Sequence, residues 1–283
     1  MMSSTRITLL TALAMLSFAG NSLLCRIAFQ STTIDVASFT SIRLISGALL
    51  LGLIVWLQQG KIAKGGSWWA AIALFAYAVG FSSAYISLPT GVGALLLFGA
   101  VQMTMTSYGL WRGERLSKIQ LVGLVMALMG VVGLLLPGLS SPPLLGSLVM
   151  LITGVAWGVY SLLGRGVSNP TQVTADNFLR TVPITVGLSL VLLPKVSLDS
   201  AGVAYAIASG ALTSGLGYVL WYSALPRLKS TQAAIVQSIV PVLAAVGAIF
   251  LLSEPMTLRL GLASVAILGG IVLVLQPSQV LHR

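Results

Sequence analysis

Tyr85-Ile86-Ser87-Leu88-Pro89 is answered half a chain later by Tyr222-Ser223-Ala224-Leu225-Pro226. Farther along, Glu114-Arg115-Leu116-Ser117 is answered by Glu254-Pro255-Met256-Thr257, and Gly130 and Pro137 by Gly270 and Pro277. The spacing between copies is close to half of the 283 residues, which divides the chain into two related parts, residues 1–140 and 141–283. Both parts are almost wholly apolar.

Hydrophobic residues make up 57% of the chain and charged residues only 7%. A soluble domain carries about 25% charged residues to cover its surface, so the expected environment is the lipid bilayer. The net charge of +10 does not point to nucleic acid, because the basic residues sit in short loops between apolar runs. A single cysteine, Cys25, excludes an internal disulfide and a cysteine-only metal site, and the one histidine is His282. No P-loop, zinc spacing or nucleophile elbow is present. No metal or cofactor is therefore expected, and an enzyme or ATP-driven pump is disfavoured. Arg6 followed by an apolar run partly resembles a signal peptide, but no A-x-A site follows, so this run is expected to stay as the first helix.

A helix needs roughly 20 apolar residues to cross the hydrocarbon. Runs and their breakers predict ten spans, at 7–29, 36–57, 68–88, 91–111, 117–136, 144–164, 175–194, 201–223, 231–252 and 257–276. Pro89-Thr90-Gly91, Pro137-Gly138 and Pro142-Pro143 supply breaks where no charge does. Strand-type alternation is absent, which argues against a β-barrel. With the N-terminus inside, the inner loops collect Arg6, Lys61, Lys64, Arg112, Arg115, Lys118, Arg165, Arg227, Lys229 and Arg283. The outer loops hold only Lys195 and Arg259. Both termini are thus expected on the cytoplasmic side. Five helices per half is an odd number, so the second half enters from the opposite face. The expected fold is an all-α membrane protein of two inverted five-helix repeats, an arrangement that suits alternating access.

These features resemble the drug/metabolite transporter superfamily, in its EamA-type ten-helix branch. The resemblance covers nearly the whole chain. It rests on Arg43 and Arg180 early in the second helix of each half and on Tyr-x-x-Leu-Pro closing the third. It rests also on the Glu114 and Glu254 motifs and on the glycine-rich fifth helices (Gly123, Gly130 and Gly133; Gly261, Gly269 and Gly270). The spacing from glutamate to first glycine differs between halves, Glu114 to Gly123 against Glu254 to Gly261, and leaves the last helix's register open. The resemblance implies export of small metabolites across the bacterial inner membrane, and the pattern is most similar to amino-acid exporters of the aromatic (YddG-like) group. A multidrug or nucleotide-sugar carrier of the same fold, with proton coupling, is the alternative. No carboxylate lies mid-span, which favours facilitative transport. Ten helices around one pathway suffice for a monomer.

Charges inside spans are functional candidates by default. Arg43 and Arg180 read either as anchors for a substrate carboxylate or as helix-end residues that pair with Asp35 or Asp176. Their place nearer an interface than the midplane favours a structural or gating role. Glu114 and Glu254 are expected to favour the N-terminus of the following helix, with Ser117 or Thr257 as its cap. Pro241, expected mid-helix, and Pro183 read as hinges or as static kinks. The binding candidates are polar and aromatic residues near mid-span: Phe18, Asn21, Ser22, Tyr77, Phe81, Gln102, Trp157, Tyr160, Tyr218, Gln237 and Ser238. A zwitterion needs donors, acceptors and an aromatic wall, and these supply them without fixed charge. Asn21, Trp157 and Tyr77 rank first.

Overall fold

A computed structural model describes residues 4–61, 64–113, 115–138, 141–164, 167–228 and 236–276. Glu114, Arg165, Lys229, Pro277, His282 and Arg283 lie outside the described residues. Within them all regular structure is helical: α1 (Ser4–Ser31), α2 (Val36–Gln59), α3 (Trp68–Ala84), α4 (Thr90–Trp111), α5 (Lys118–Leu135), α6 (Leu144–Leu163), α7 (Pro170–Val191), α8 (Ser200–Ala224), α9 (Val240–Leu252) and α10 (Leu258–Val274). Six of these, α1, α2, α4, α5, α6 and α8, are long and apolar enough to cross a membrane. The helices α3, α9 and α10 are shorter and apolar. Large apolar side chains such as Trp69, Trp111, Phe250 and Val265 stand exposed on the perimeter, where lipid would cover them.

Helix ends follow local chemistry. Asp35, Ser67, Ser117, Asn169, Asp199 and Thr257 each accept a backbone N–H of the first turn of the helix they start. Gly60 ends α2 in the left-handed region, at φ 67°. Three boundaries depart from the apolar pattern. Helix α7 starts earlier than expected, because its polar first turns serve the α2–α3 connection: Asp176 Oδ2 accepts from the N–H of Gly65 and Gly66, and Asn177 Oδ1 from that of Ser67. Helix α8 is continuous, but its middle, Ala208–Leu216, is wound as π-helix. Helix α9 starts at Val240, after a turn at Ser238 and Ile239.

Packing treats the two halves alike. Each of α2, α4 and α5 packs on its counterpart α7, α9 and α10. Likewise α1 lies against α8 and α9, as α6 lies against α3 and α4. The α5–α10 contact is made by small residues. A Cβ on Gly123 would lie 2.6 Å from the Gly270 carbonyl oxygen, and one on Gly130 would lie 2.8 Å from Ile267. The backbones are therefore close, as in other membrane helix pairs. Those partners, 123 with 270 and 130 with 267, make the two helices antiparallel. The same holds for α2 and α7, where Ser41 meets Ser189 at 2.8 Å and Gly47 meets Phe178.

Candidate functional site

Inside a bilayer every polar group needs a partner from the protein or from a water-filled cavity. Most hydroxyls here return to their own helix. Ser82 donates to Ala78 O, Thr153 to Val149 O and Ser161 to Trp157 O. Several of the bonds that cross between helices meet at Asn21 of α1. Its Oδ1 accepts from Ser209 Oγ at 2.7 Å and from Thr213 Oγ1 at 3.2 Å, both on the π segment of α8. Its Nδ2 donates to Tyr77 Oη of α3 at 3.3 Å. The same phenolic oxygen accepts from Arg43 Nη2 of α2 at 3.1 Å.

Arg43 is 2% exposed, and its Nη1 has no hydrogen-bond partner among the described residues. The expected pairing with Asp35 does not occur. Asp35 instead caps α2 and accepts from Ser197 N at 2.9 Å. Burial pushes the Asp35 carboxyl's pKa up, but hydrogen bonds from Ser38 and Ser197 outweigh it and hold the group below its ordinary value. The Arg43 guanidinium lies over two rings, 4.7 Å from the Phe81 centroid and 5.3 Å from that of Tyr77. Such contacts are worth about 2 kcal/mol or more when desolvated. A buried ion costs several kcal/mol even after relaxation, so the rings offset only part of that cost. Arg180, its counterpart in the second half, is neutralised by Asp176 at 3.1 Å.

Tyr77 and Asn21 both line a narrow cavity. One wall is aromatic. Trp157 of α6 stacks on Tyr218 of α8 with centroids 5.5 Å apart and planes at 15°. Tyr77 meets Trp157 at 4.7 Å, and Phe18 of α1 meets Tyr218 at 5.8 Å. Of the binding candidates from the sequence, Phe18, Asn21, Ser22, Tyr77, Phe81, Trp157, Tyr218 and Gln237 line this cavity. Gln102, Tyr160 and Ser238 do not. Tyr160 is buried behind the wall, its ring 5.3 Å from Trp157. Sequence reasoning passed over Leu97, Phe98, Thr213 and Ser214 of the lining, and Ser209 behind it. A signal existed in the run Ser209-Gly210-Ala211-Leu212-Thr213-Ser214-Gly215, which is unusually small and polar for a span.

A second, wider cavity opens beside Arg26, Pro89, Pro143 and Glu254. Here Glu254 departs from expectation. It reaches across the bundle instead of favouring its own following helix: Thr90 N donates to Oε2 at 2.7 Å and Arg26 Nε to Oε1 at 3.4 Å. Thr257 does cap α10. Arg26 also donates to the carbonyls of Tyr85 and Ile86, both at 2.9 Å, and so binds groups left open at the end of α3. Pro183 lies inside α7. Pro241, expected mid-helix, stands in the first turn of α9, where its missing N–H costs no helical bond.

The EamA-like transporter family matches residues 5–136 and again residues 144–276. A Pseudomonas aeruginosa protein without assigned function is 55% identical over 278 residues, covering 98% of this chain and 96% of that one. An Archaeoglobus fulgidus uncharacterized transporter is 25% identical over 280 residues, covering 94% and 96%. A probable amino-acid metabolite efflux pump of Escherichia coli is 22% identical over 215 residues, covering 71% and 72%. A solved crystal structure shares the fold, with a TM-score of 0.69 at 20% identity over 96% of this chain and 98% of that one. A helical, apolar chain matched twice, once in each half, belongs to the EamA-like transporter family.

Proposed function

We propose that this protein is a secondary transporter that exports amino acids or related small neutral metabolites across the bacterial inner membrane. In this reading it is a monomer of ten spans in two inverted five-helix repeats, with both termini cytoplasmic. The observation that carries the reading is a cavity that takes residues from both halves. Tyr77, Phe98 and Asn21 come from one half and Trp157 and Tyr218 from the other. A site between two related bundles can face either side as the bundles rock. The antiparallel packing of α2 on α7 and of α5 on α10 is the relation that an inverted repeat requires. The substrate class draws on the E. coli relative and on the mixture of amide, hydroxyl and aromatic groups in the lining. No Asp or Glu is among the described lining residues, which favours facilitative transport over carboxylate-based proton antiport.

A nucleotide-sugar carrier is the competing reading, because buried Arg43 favours an anionic cargo. One guanidinium set behind Tyr77 and Phe81 is a poor match for a diphosphate. The test is efflux from proteoliposomes loaded with radiolabelled amino acids, with and without a pH gradient. Amino acids should leave down their own gradient at a rate that collapsing the pH gradient does not change. Movement of a cationic dye with no movement of any amino acid defeats the reading.

A further inference from the structure

The corner of the cavity formed by Asn21 and Tyr77 is rich in donors and poor in acceptors. A phenol offers one donor, and the Tyr77 oxygen already accepts from both Asn21 and Arg43. Its own proton has no acceptor among the described residues. Asn21 Nδ2 carries two hydrogens and spends one on Tyr77, while its Oδ1 is occupied by Ser209 and Thr213. Behind them stands the Arg43 guanidinium, almost fully buried, which among the described residues pairs with no carboxylate and has an unpartnered Nη1. Among the described residues no acidic side chain lines the cavity to balance that charge. Local geometry accounts for the donors' positions but leaves the positive charge and the two spare hydrogens without counterparts.

We propose that this corner is a carboxylate subsite. The Tyr77 hydroxyl and the free Asn21 N–H would contact the carboxylate. Arg43 is a positioning residue. It fixes the phenolic oxygen as an acceptor, which turns the phenolic proton toward the cavity, and it lends that proton a cationic character. Charge-assisted hydrogen bonds of this kind are about twice as strong as neutral ones. The stacked pair Trp157 and Tyr218 then receives the rest of the ligand, and the π faces there suit an α-ammonium group, for which no carboxylate is offered. This inference rests on the amino-acid reading above and narrows it. The molecule must carry a free carboxylate, whereas the amine is dispensable.

The experiment is competition against efflux of labelled phenylalanine in proteoliposomes. The competitors are phenylalanine, 3-phenylpropionate, phenylalaninamide and phenethylamine. The two acids should compete, and the amide and the amine should compete at least about tenfold more weakly, the loss expected when a buried donor pair meets no acceptor. In Tyr77→Phe and Arg43→Gln the acid-to-amide ratio should collapse toward one, while Arg43→Lys should restore part of it. A purely structural Arg43 would depress acid and amide alike and leave the ratio intact, and that result overturns the inference. Equal competition by amide and acid in the native protein overturns it too, with the amino-acid reading still standing. If none of the four competes while another amino acid is exported, the subsite is refuted but the transporter reading survives. If no amino acid is exported at all, both fall.

Discussion

Gly210 decides how closely α8 approaches α2. A Cβ at this position would overlap the Arg43 carbonyl oxygen and Ser46 Oγ, which no rotamer change relieves in the backbone case. Gly210→Ala should therefore destabilise the protein by about 1–3 kcal/mol, the usual cost of overpacking, read as a lower melting temperature in detergent. Asn21 has a different kind of importance, since it bonds three side chains on two other helices, Tyr77 of α3 and Ser209 and Thr213 of α8. Asn21→Ala strands the hydroxyl of Ser209, while that of Thr213 keeps its bond to Ser209 O. Transport should fall by about tenfold or more, with folded protein still in the membrane. Trp157→Ala removes the wall that stacks on Tyr218 and should do likewise. Unchanged efflux in both variants removes these residues from the site. Asn21 was legible from sequence because an amide inside an apolar run needs a partner. The partners were not, because hydrogen bonds over 188 residues of chain leave no local trace.

At the scale of elements, two loops on one face of the bundle are tied by carboxylates. Asp35 accepts from Ser38 and Ser197, and Asp199 accepts from Thr33 and Gly202. The Gly202 N–H chiefly, with Thr33, holds the Asp199 carboxyl below its ordinary pKa. A carboxyl whose folded pKa is depressed contributes stability that is fully present above its unfolded value of about 4 and is lost as pH falls through the folded value. Asp35→Ala should thus lower the melting temperature at neutral pH, by an amount corresponding to about 1 kcal/mol for the lost cap. The difference from the native protein should shrink as pH is taken below about 4. Pro241 makes a contrasting case. In the first turn of α9 it is pre-organised for the helix, so Pro241→Ala should change the melting temperature little, whereas a mid-helix hinge would respond strongly. Element existence was readable from apolar runs and caps. The π turn of α8 and the late start of α9 were not, because both depend on what the neighbouring helices demand of the backbone.

For the whole molecule, the cluster of Arg26, Glu254 and Thr90 joins α1, the start of α4 and the α9–α10 connection. It ties together elements at the end that we assign to the outside. If the two halves part there during transport, the cluster must break. Glu254→Ala should then raise the rate at which an externally added thiol reagent labels Cys25, which is fully buried next to Arg26. An unchanged labelling rate would show that the cluster does not hold that end shut. The sequence by itself determined that the chain is a helical membrane protein of two like halves, because composition, span length and repeated motifs are properties of the chain read in order. It also nominated most of the cavity lining, since polar and aromatic residues inside apolar spans are few. Only the tertiary structure decided that Arg43 is buried with no carboxylate partner among the described residues while Arg180 is neutralised by Asp176. The two arginines occupy matching places in the repeat. Their difference lies in what packs around them, and packing joins residues that the chain keeps far apart.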